Sequence, residues 1–398
     1  MAHNPQKFAA NFSAKLATRS RHVCAFLGAG VSKACGLPDV TDLQKGVIAR
    51  LEEPNKDLFA KQLTKRNLEQ ALSRVRKIAA LLKDSAPIEA KAGAATIQET
   101  IEGLSGTAAN TLDEEVCKAI VSELNIAKAN LGPMKDFAAW AKRCDYHSPL
   151  ELFTVNYDLL LETALEDQHV PYFDGFLGTL TARFKTELVE PLQGADCMPP
   201  FFTRLWKLHG SLNWGWDDDH KIFRRGTAIE KSAAIYPSDT KYDDSRRMPF
   251  VVLQDRFRRA LLHPETLTLI AGYSFGDEHL NEIIYDAAST KERSEIVVFC
   301  RSKLPDALAE RALRIPNIQI AAANEAIIGG VRADWEKPQE NEYLEAIWKG
   351  GAFALGDFAA LAAYLAKSVT RDVENPLLVK LAELIATPAE GLPKVNNA

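Results

Sequence analysis

Four short stretches of this sequence gather glycine, hydroxyl, amide, carboxylate and imidazole groups closely enough to do chemistry. The first is Gly28-Ala29-Gly30-Val31-Ser32. Glycines let a backbone approach a phosphate, and free N–H groups at a helix start can hold one. Ser32 adds a hydroxyl, although the same residues also suit a plain tight turn. The second is Thr154-Val155-Asn156-Tyr157-Asp158. An asparagine amide holds a ribose hydroxyl or a water without titrating, and a neighbouring carboxylate accepts from hydroxyls or steadies a developing positive charge. Asn or Asp at this place can equally cap a following helix. The third is Lys207-Leu208-His209-Gly210-Ser211, an imidazole that titrates near neutral pH beside a glycine that leaves it open. A histidine satisfied by backbone in a turn is the other reading. The fourth, Ala271-Gly272-Tyr273-Ser274-Phe275-Gly276-Asp277, is a second Gly/Ser turn that can receive a ribose or phosphate, or a capped helix start.

Each stretch follows a short apolar run. Runs at 23–27, 152–155, 205–208, 233–236, 267–271, 296–300 and 318–321 read as buried strands. Helical stretches separate several of them, which predicts a parallel α/β sheet. Phe8, Phe12 and Leu16 mark one face of a first helix, and Leu68, Leu72, Val75, Ala79 and Leu82 mark another. The latter sits in a helical insert of about 43–146, read as a subdomain above the sheet, with an Ala/Gly-rich connection at 92–106. After Ala321 the strand pattern fades, and 343–348, 358–365 and 377–385 read as helices before a loose tail from Thr387. The expected division is therefore a catalytic domain over 1–322 and a helical C-terminal extension over 323–398.

Several classes are disfavoured. The third glycine of a dehydrogenase fingerprint is replaced by Lys33, and no GK[ST] phosphate loop occurs. The six cysteines form no CxxC pair, so no zinc or other metal is expected. Asp217-Asp218-Asp219-His220 offers ligand types, but consecutive turn residues point apart, and it reads as a solvated hairpin tip. Trp206, Trp214 and Trp216 can wall a pocket but are more often core. A net charge of −5 gives no general attraction to nucleic acid, and no run is apolar enough to span a membrane. Scattered cysteines without a secretion signal suggest a reducing, cytoplasmic location.

The order GAGVS, TVNYD, KLHGS, GYSFGDEHLN resembles sirtuins, and more closely the bacterial sirtuin-like NAD hydrolases of anti-phage defence. The resemblance runs from about Val23 to Arg301. It implies a Rossmann-like sheet with a helical subdomain and NAD, as substrate, between them. By the same resemblance Gly28, Ala29, Gly30 and Ser32 correspond to the phosphate turn. Asn156 and Asp158 correspond to the Asn-x-Asp at the nicotinamide ribose, and His209 to the catalytic histidine. Gly272 and Ser274 correspond to the adenosine turn, and Arg301 to the segment near adenine. Gly36-Leu37-Pro38-Asp39-Val40-Thr41 stands where deacylating members have Gly-Ile-Pro-Asp-Phe-Arg; Asp39 is kept as a cofactor-binding residue and the Phe-Arg pair is missing. With no zinc ribbon either, the expected reaction is hydrolysis of the nicotinamide–ribose bond to nicotinamide and ADP-ribose. A protein deacylase and a non-catalytic NAD or ADP-ribose sensor are the alternatives. The resemblance also implies a homo-oligomer working with a HerA-type ring ATPase, without membrane or direct nucleic-acid binding.

Overall fold

The computed structural model describes residues 2–82, 100–190, 198–217, 219, 221–229, 234–235, 248–290, 293–338 and 345–368. The helix expected at 377–385, the tail from Thr387, Asp218, His220 and residues 92–99 of the Ala/Gly-rich connection lie outside the described residues.

Nine strands make the central sheet: β1 (Val23–Leu27), β2 (Glu151–Thr154), β3 (Tyr172–Phe173), β4 (Thr203–Lys207), β5 (Leu267–Ala271), β6 (Glu295–Phe299), β7 (Ile318–Ala321), β8 (Glu325–Ile328) and β9 (Val331–Asp334). Their order is β9-β8-β7-β6-β5-β1-β2-β4-β3. The seven strands from β3 to β7 run parallel, and β8 and β9 fold back antiparallel at one edge. From β1 the chain moves out through β2 and β4, then returns to β1's other flank with β5. That reversal makes the carboxyl ends of β1, β2 and β5 the switch point where open α/β sheets form their ligand crevice.

The helices are α1 (Pro5–Leu16), α2 (Ala29–Ala34), α3 (Val40–Arg50), α4 (Asn55–Gln62), α5 (Leu68–Leu81), α6 (Gly106–Glu123), α7 (Gly132–Arg143), α8 (Leu160–Asp167), α9 (Thr186–Val189), α10 (Phe250–Leu262), α11 (Glu278–Thr290), α12 (Asp306–Arg314) and α13 (Phe358–Ser368). Successive strand residues point to opposite faces, and both faces are covered. Ala25, Leu27, Leu152, Leu205 and Leu269 pack with Phe8 and Phe12 of α1, Trp140 of α7 and Leu361 of α13. Cys24, Phe26, Phe153, Trp206 and Ile270 pack with Phe257 of α10, Ile284 of α11 and Leu308 of α12. Helix α1 carries the expected face of Phe8, Phe12 and Leu16; Asn4 caps it by accepting from Lys7 N at 2.9 Å, and Pro5 occupies a position with no need for an N–H.

Helices α3 to α6 build a third core from Leu43, Val47, Phe59, Leu72, Val75, Leu112, Val116 and Ile120. Asn67 and Gln70 form a capping box that fixes the start of α5. Leu212 is buried in this core and Tyr157 packs against it. Both residues follow carboxyl ends of sheet strands, so the helical unit stands over that end. The unit is shorter than the expected insert, because Met134, Phe137 and Trp140 of α7 turn into the sheet core instead.

The chain beyond Ala321 corrects the sequence reading. Strands β8 and β9 continue the sheet past the expected boundary at 322. The helix expected at 343–348 is absent from its described part: Trp348–Lys349 pairs antiparallel with Ala352–Phe353 around Gly350 and Gly351, whose φ values are 61° and 83°. Helix α13 is present, and Phe358 lies 5.8 Å from Phe137 between ring centroids, so this helix packs back on the sheet layer. Among the described residues no helix is long and apolar enough to cross a membrane.

Candidate active site

Four side chains, Thr154, Asn156, Ser32 and Asp158, join the ends of β1 and β2 in one hydrogen-bonded chain. The Thr154 hydroxyl at the end of β2 donates to the Leu27 carbonyl at 2.9 Å and accepts from Asn156 N at 3.0 Å. The Asn156 amide then donates to the Gly28 carbonyl at 3.0 Å and to Ser32 Oγ at 2.9 Å. The Ser32 hydroxyl donates to Asp158 Oδ2 at 2.6 Å, and Asp158 Oδ1 accepts from Leu160 N at the start of α8, at 3.1 Å. Both amide hydrogens of Asn156 are therefore committed, which leaves its Oδ1 oriented as an acceptor. Ser32 corrects the sequence reading. It is buried, and its proton is given to Asp158 rather than held open for a phosphate. Asp158 is buried as well and is linked to Asn156 through Ser32.

The two glycine turns pack on each other. Gly28 N donates to the Ala271 carbonyl at 3.0 Å, and Gly30 N to the Gly272 carbonyl at 2.8 Å. A Cβ on Gly30 would stand 2.8 Å from Gly272 Cα, and one on Gly28 would stand 2.5 Å from Gly272 O. Gly272 itself holds φ at +65°, a region that favours glycine, and a Cβ there would stand 2.5 Å from Val31 N. These glycines are dictated by turn-on-turn packing. The close phosphate approach expected at Gly30 is not what fixes the residue, since its N–H and its open side both face Gly272. Ala29 opens α2 from a half-buried position with no side-chain cap ahead of it.

His209 follows β4. Leu208 N donates to the Thr154 carbonyl at 2.8 Å and Leu212 N to the Tyr157 carbonyl at 2.9 Å, so the KLHGS segment is stitched to the Asn156 segment on both sides of the histidine. His209 Nε2 lies 3.2 Å from Asp277 Oδ2, and both side chains are mostly buried. Lys207 is buried too. Its ammonium donates to Glu162 Oε1 at 2.8 Å, to the Tyr157 carbonyl at 3.4 Å and to the Asp158 carbonyl. A buried cation is tolerated only with such partners, and here they fix the loop that carries Asn156. Lys207 and Asp277 lie inside the KLHGS and GYSFGDEHLN motifs but are not among the residues to which the resemblance gives a role. The available signal was a charged residue closing an apolar strand and a carboxylate opening a helix. Tyr157 reaches the other way: its hydroxyl donates to Glu69 Oε1 of α5 at 2.6 Å, and burial together with Glu69 pushes its pKa well up.

The remaining candidates are held by other partners. Asp39 caps α3 by accepting from Asp42 N at 2.9 Å and is ion-paired to Lys33, which keeps its carboxyl below the usual range. Ser274 is exposed on the turn after β5, near Gly276. Arg301 follows β6, is 71% exposed and lies 3.7 Å from Asp357. Direct contacts thus unite Gly28, Gly30, Ser32, Asn156, Asp158 and Gly272, backbone bonds add His209, and Asp39 and Arg301 answer to separate partners.

One cluster of metal-ligand types occurs among the described residues, formed by His22, Cys24 and Glu151. It lies at the amino ends of β1 and β2, opposite the crevice. Its polar atoms already have partners: Glu151 accepts from His22 Nε2 at 3.0 Å, Trp206 Nε1 at 2.7 Å and Arg256 Nε at 2.7 Å, and His22 Nδ1 meets Thr266 Oγ1 at 3.1 Å. Burial by itself would raise the Glu151 carboxyl, but Arg256 and His22 hold it at about 2. Burial would lower His22, but Cys24 and Glu151 raise it to about 10. Trp206 and Trp214 are core residues, and Asp217 closes the hairpin turn by accepting from Lys221 N at 2.7 Å. Cavities of about 410 and 390 Å³ open beside α1 and at the amino ends of β5 to β7, lined by none of the candidate residues.

Residues 150–327 match the family model of the SIR2-like domain, which supports a sirtuin-like family for this chain. The match spans β2 to β8 and includes Asn156, Asp158, His209, Gly272, Ser274 and Arg301. Gly28 to Ser32 lie outside it and are tied to it by the contacts above. No curated protein matches the chain.

Proposed function

We propose that this chain is an NAD hydrolase that cleaves the nicotinamide–ribose bond to give nicotinamide and ADP-ribose. The SIR2-like match is compatible with NAD-dependent chemistry. The observation that carries the proposal is the Asp158–Ser32–Asn156 chain, which commits both amide hydrogens of Asn156 and leaves its Oδ1 as an acceptor on the segment stitched to that of His209. Cleavage proceeds through an oxocarbenium-like transition state. Nicotinamide leaves as a neutral ring and needs no proton. The protein must therefore hold the ribose, limit water to one attacking molecule and stabilise the cation. Asn156 Oδ1 holds the ribose hydroxyl or the attacking water, Asp158 and Ser32 hold Asn156, and His209 takes a proton from the hydroxyl or the water.

Water rather than an acyl-lysine is the nucleophile in this reading. Val40-Thr41 stands where deacylating members have Phe-Arg, and the sequence carries no CxxC pair for a zinc ribbon. In ¹⁸O-enriched water, each ADP-ribose formed is expected to carry one ¹⁸O; product without label would remove hydrolysis from consideration. Two further parts rest on the sequence resemblance: NAD depletion in anti-phage defence, and a homo-oligomer regulated by a HerA-type ring ATPase.

A further inference from the structure

We propose that Asp277 is the positioning partner of His209, holding the ring so that Nε2 carries the proton and Nδ1 is the nitrogen that accepts one. The proposal deepens the hydrolase reading above and rests on it for the proton's destination, but not for the dyad itself. Asp277 divides its two oxygens between two tasks. Oδ1 accepts from the backbone N–H groups of His279 and Leu280, at 3.0 and 3.4 Å, and so closes the start of α11. Oδ2 lies 3.2 Å from His209 Nε2. A helix cap requires only the first contact. The segment carrying the carboxylate is itself braced: Asn281 Nδ2 donates to the Phe275 carbonyl at 2.9 Å, and the Tyr273 hydroxyl contacts Asn281 Oδ1 at 3.0 Å and the Asp277 carbonyl at 3.3 Å. The side chains of His209 and Asp277 are only 17% and 12% exposed, so bulk water does little to loosen the pair.

A carboxylate accepts and cannot donate, so it selects the tautomer with hydrogen on Nε2. When water attacks the anomeric carbon, the C–N bond breaks and its electron pair leaves with nicotinamide. The water's proton passes to Nδ1, and the resulting imidazolium is stabilised through Nε2–H by Asp277, which stays ionised.

Asp277→Asn separates the tasks, because its amide oxygen still caps α11 while its NH2 group faces Nε2. Histidine ¹⁵N–¹H spectra of the full chain, with His209 assigned by its loss in His209→Gln, should show the proton on Nε2 in the parent and on Nδ1 in Asp277→Asn. The parent's kcat should exceed the variant's by about 10²- to 10⁴-fold, with KM and melting temperature little changed. Asp277→Ala removes cap and partner together and should also lower the melting temperature. A parent His209 with hydrogen on Nδ1, or an unaltered tautomer in Asp277→Asn, would overturn the dyad whatever the activity. A switched tautomer with wild-type kcat would overturn the proton's destination. Absence of NAD cleavage in the parent would count against the hydrolase reading and leave the tautomer result to stand.

Discussion

At the scale of single residues, the site divides into groups that face the crevice and groups that hold them. The proposed mechanism assigns Asn156 and His209 to the first group; Ser32, Asp158 and Lys207 are buried, and Asp277, its side chain 12% exposed, is paired with His209. Removing a facing group should cost rate and not fold. We expect Asn156→Ala and His209→Ala each to lower nicotinamide release by about 10²-fold or more while circular dichroism and melting temperature stay close to those of the parent. A well-folded His209→Ala with undiminished turnover would end its assignment as the base. The strand-end placement of Asn156 and His209 was legible from the apolar runs that precede them, while their proposed roles come from the order of the motifs and the resemblance it carries. Ser32 and Gly30 were not legible in that way. Their tasks depend on Asp158 and Gly272, 126 and 242 positions away, and nothing local distinguishes a buried serine or a packed glycine from a phosphate-binding one.

At the scale of elements, the paired turns after β1 and β5 are the feature the site depends on most. They permit no side chain at Gly30, so even Gly30→Ala should destabilise the fold by about 1–3 kcal/mol through overpacking, read as a fall in denaturant midpoint. A variant of unaltered stability that merely bound NAD poorly would restore the phosphate-approach reading. The interior strands were legible because both of their faces are buried, so each reads as an apolar run. β3 was missed because it is two residues long, and β9 because its sequence, Val-Arg-Ala-Asp, is polar and lies at an edge. The expected helix at 343–348 failed for a different reason: Gly350 and Gly351, with positive φ, close a hairpin that takes Trp348 into a strand.

At the scale of the whole molecule, both ends of the sheet hold charged groups out of bulk water. The carboxyl ends carry the crevice, and the amino ends bury Glu151 among His22, Arg256 and Trp206. Glu151→Gln leaves two cations without their carboxylate and should cost about 3–5 kcal/mol, measured by chemical unfolding. The Glu151 carboxyl is depressed in the folded state, so its contribution is full above the unfolded pKa of about 4.3 and is lost as pH falls through about 2. His22 is raised, so its contribution is full below the unfolded value of about 6.5 and is lost as pH rises through about 10. The parent should therefore lose stability on both sides of that window, and Glu151→Gln should flatten both limbs; equal pH profiles would remove this cluster as their source. Oligomeric state is a property of the assembled surface that no motif specified. The proposed homo-oligomer is checked by mass at micromolar concentration, where a strict monomer would contradict it.

The central claim is that water and not an acyl-lysine takes the ADP-ribosyl group. Its most direct test is nicotinamide release from NAD by the purified full chain, with and without an acetylated lysine peptide. We expect nicotinamide and ADP-ribose in equal amounts, at a rate unchanged by peptide and lost in Asn156→Ala. Release that requires the peptide and yields its deacetylated form, or release that persists in Asn156→Ala, would contradict the claim.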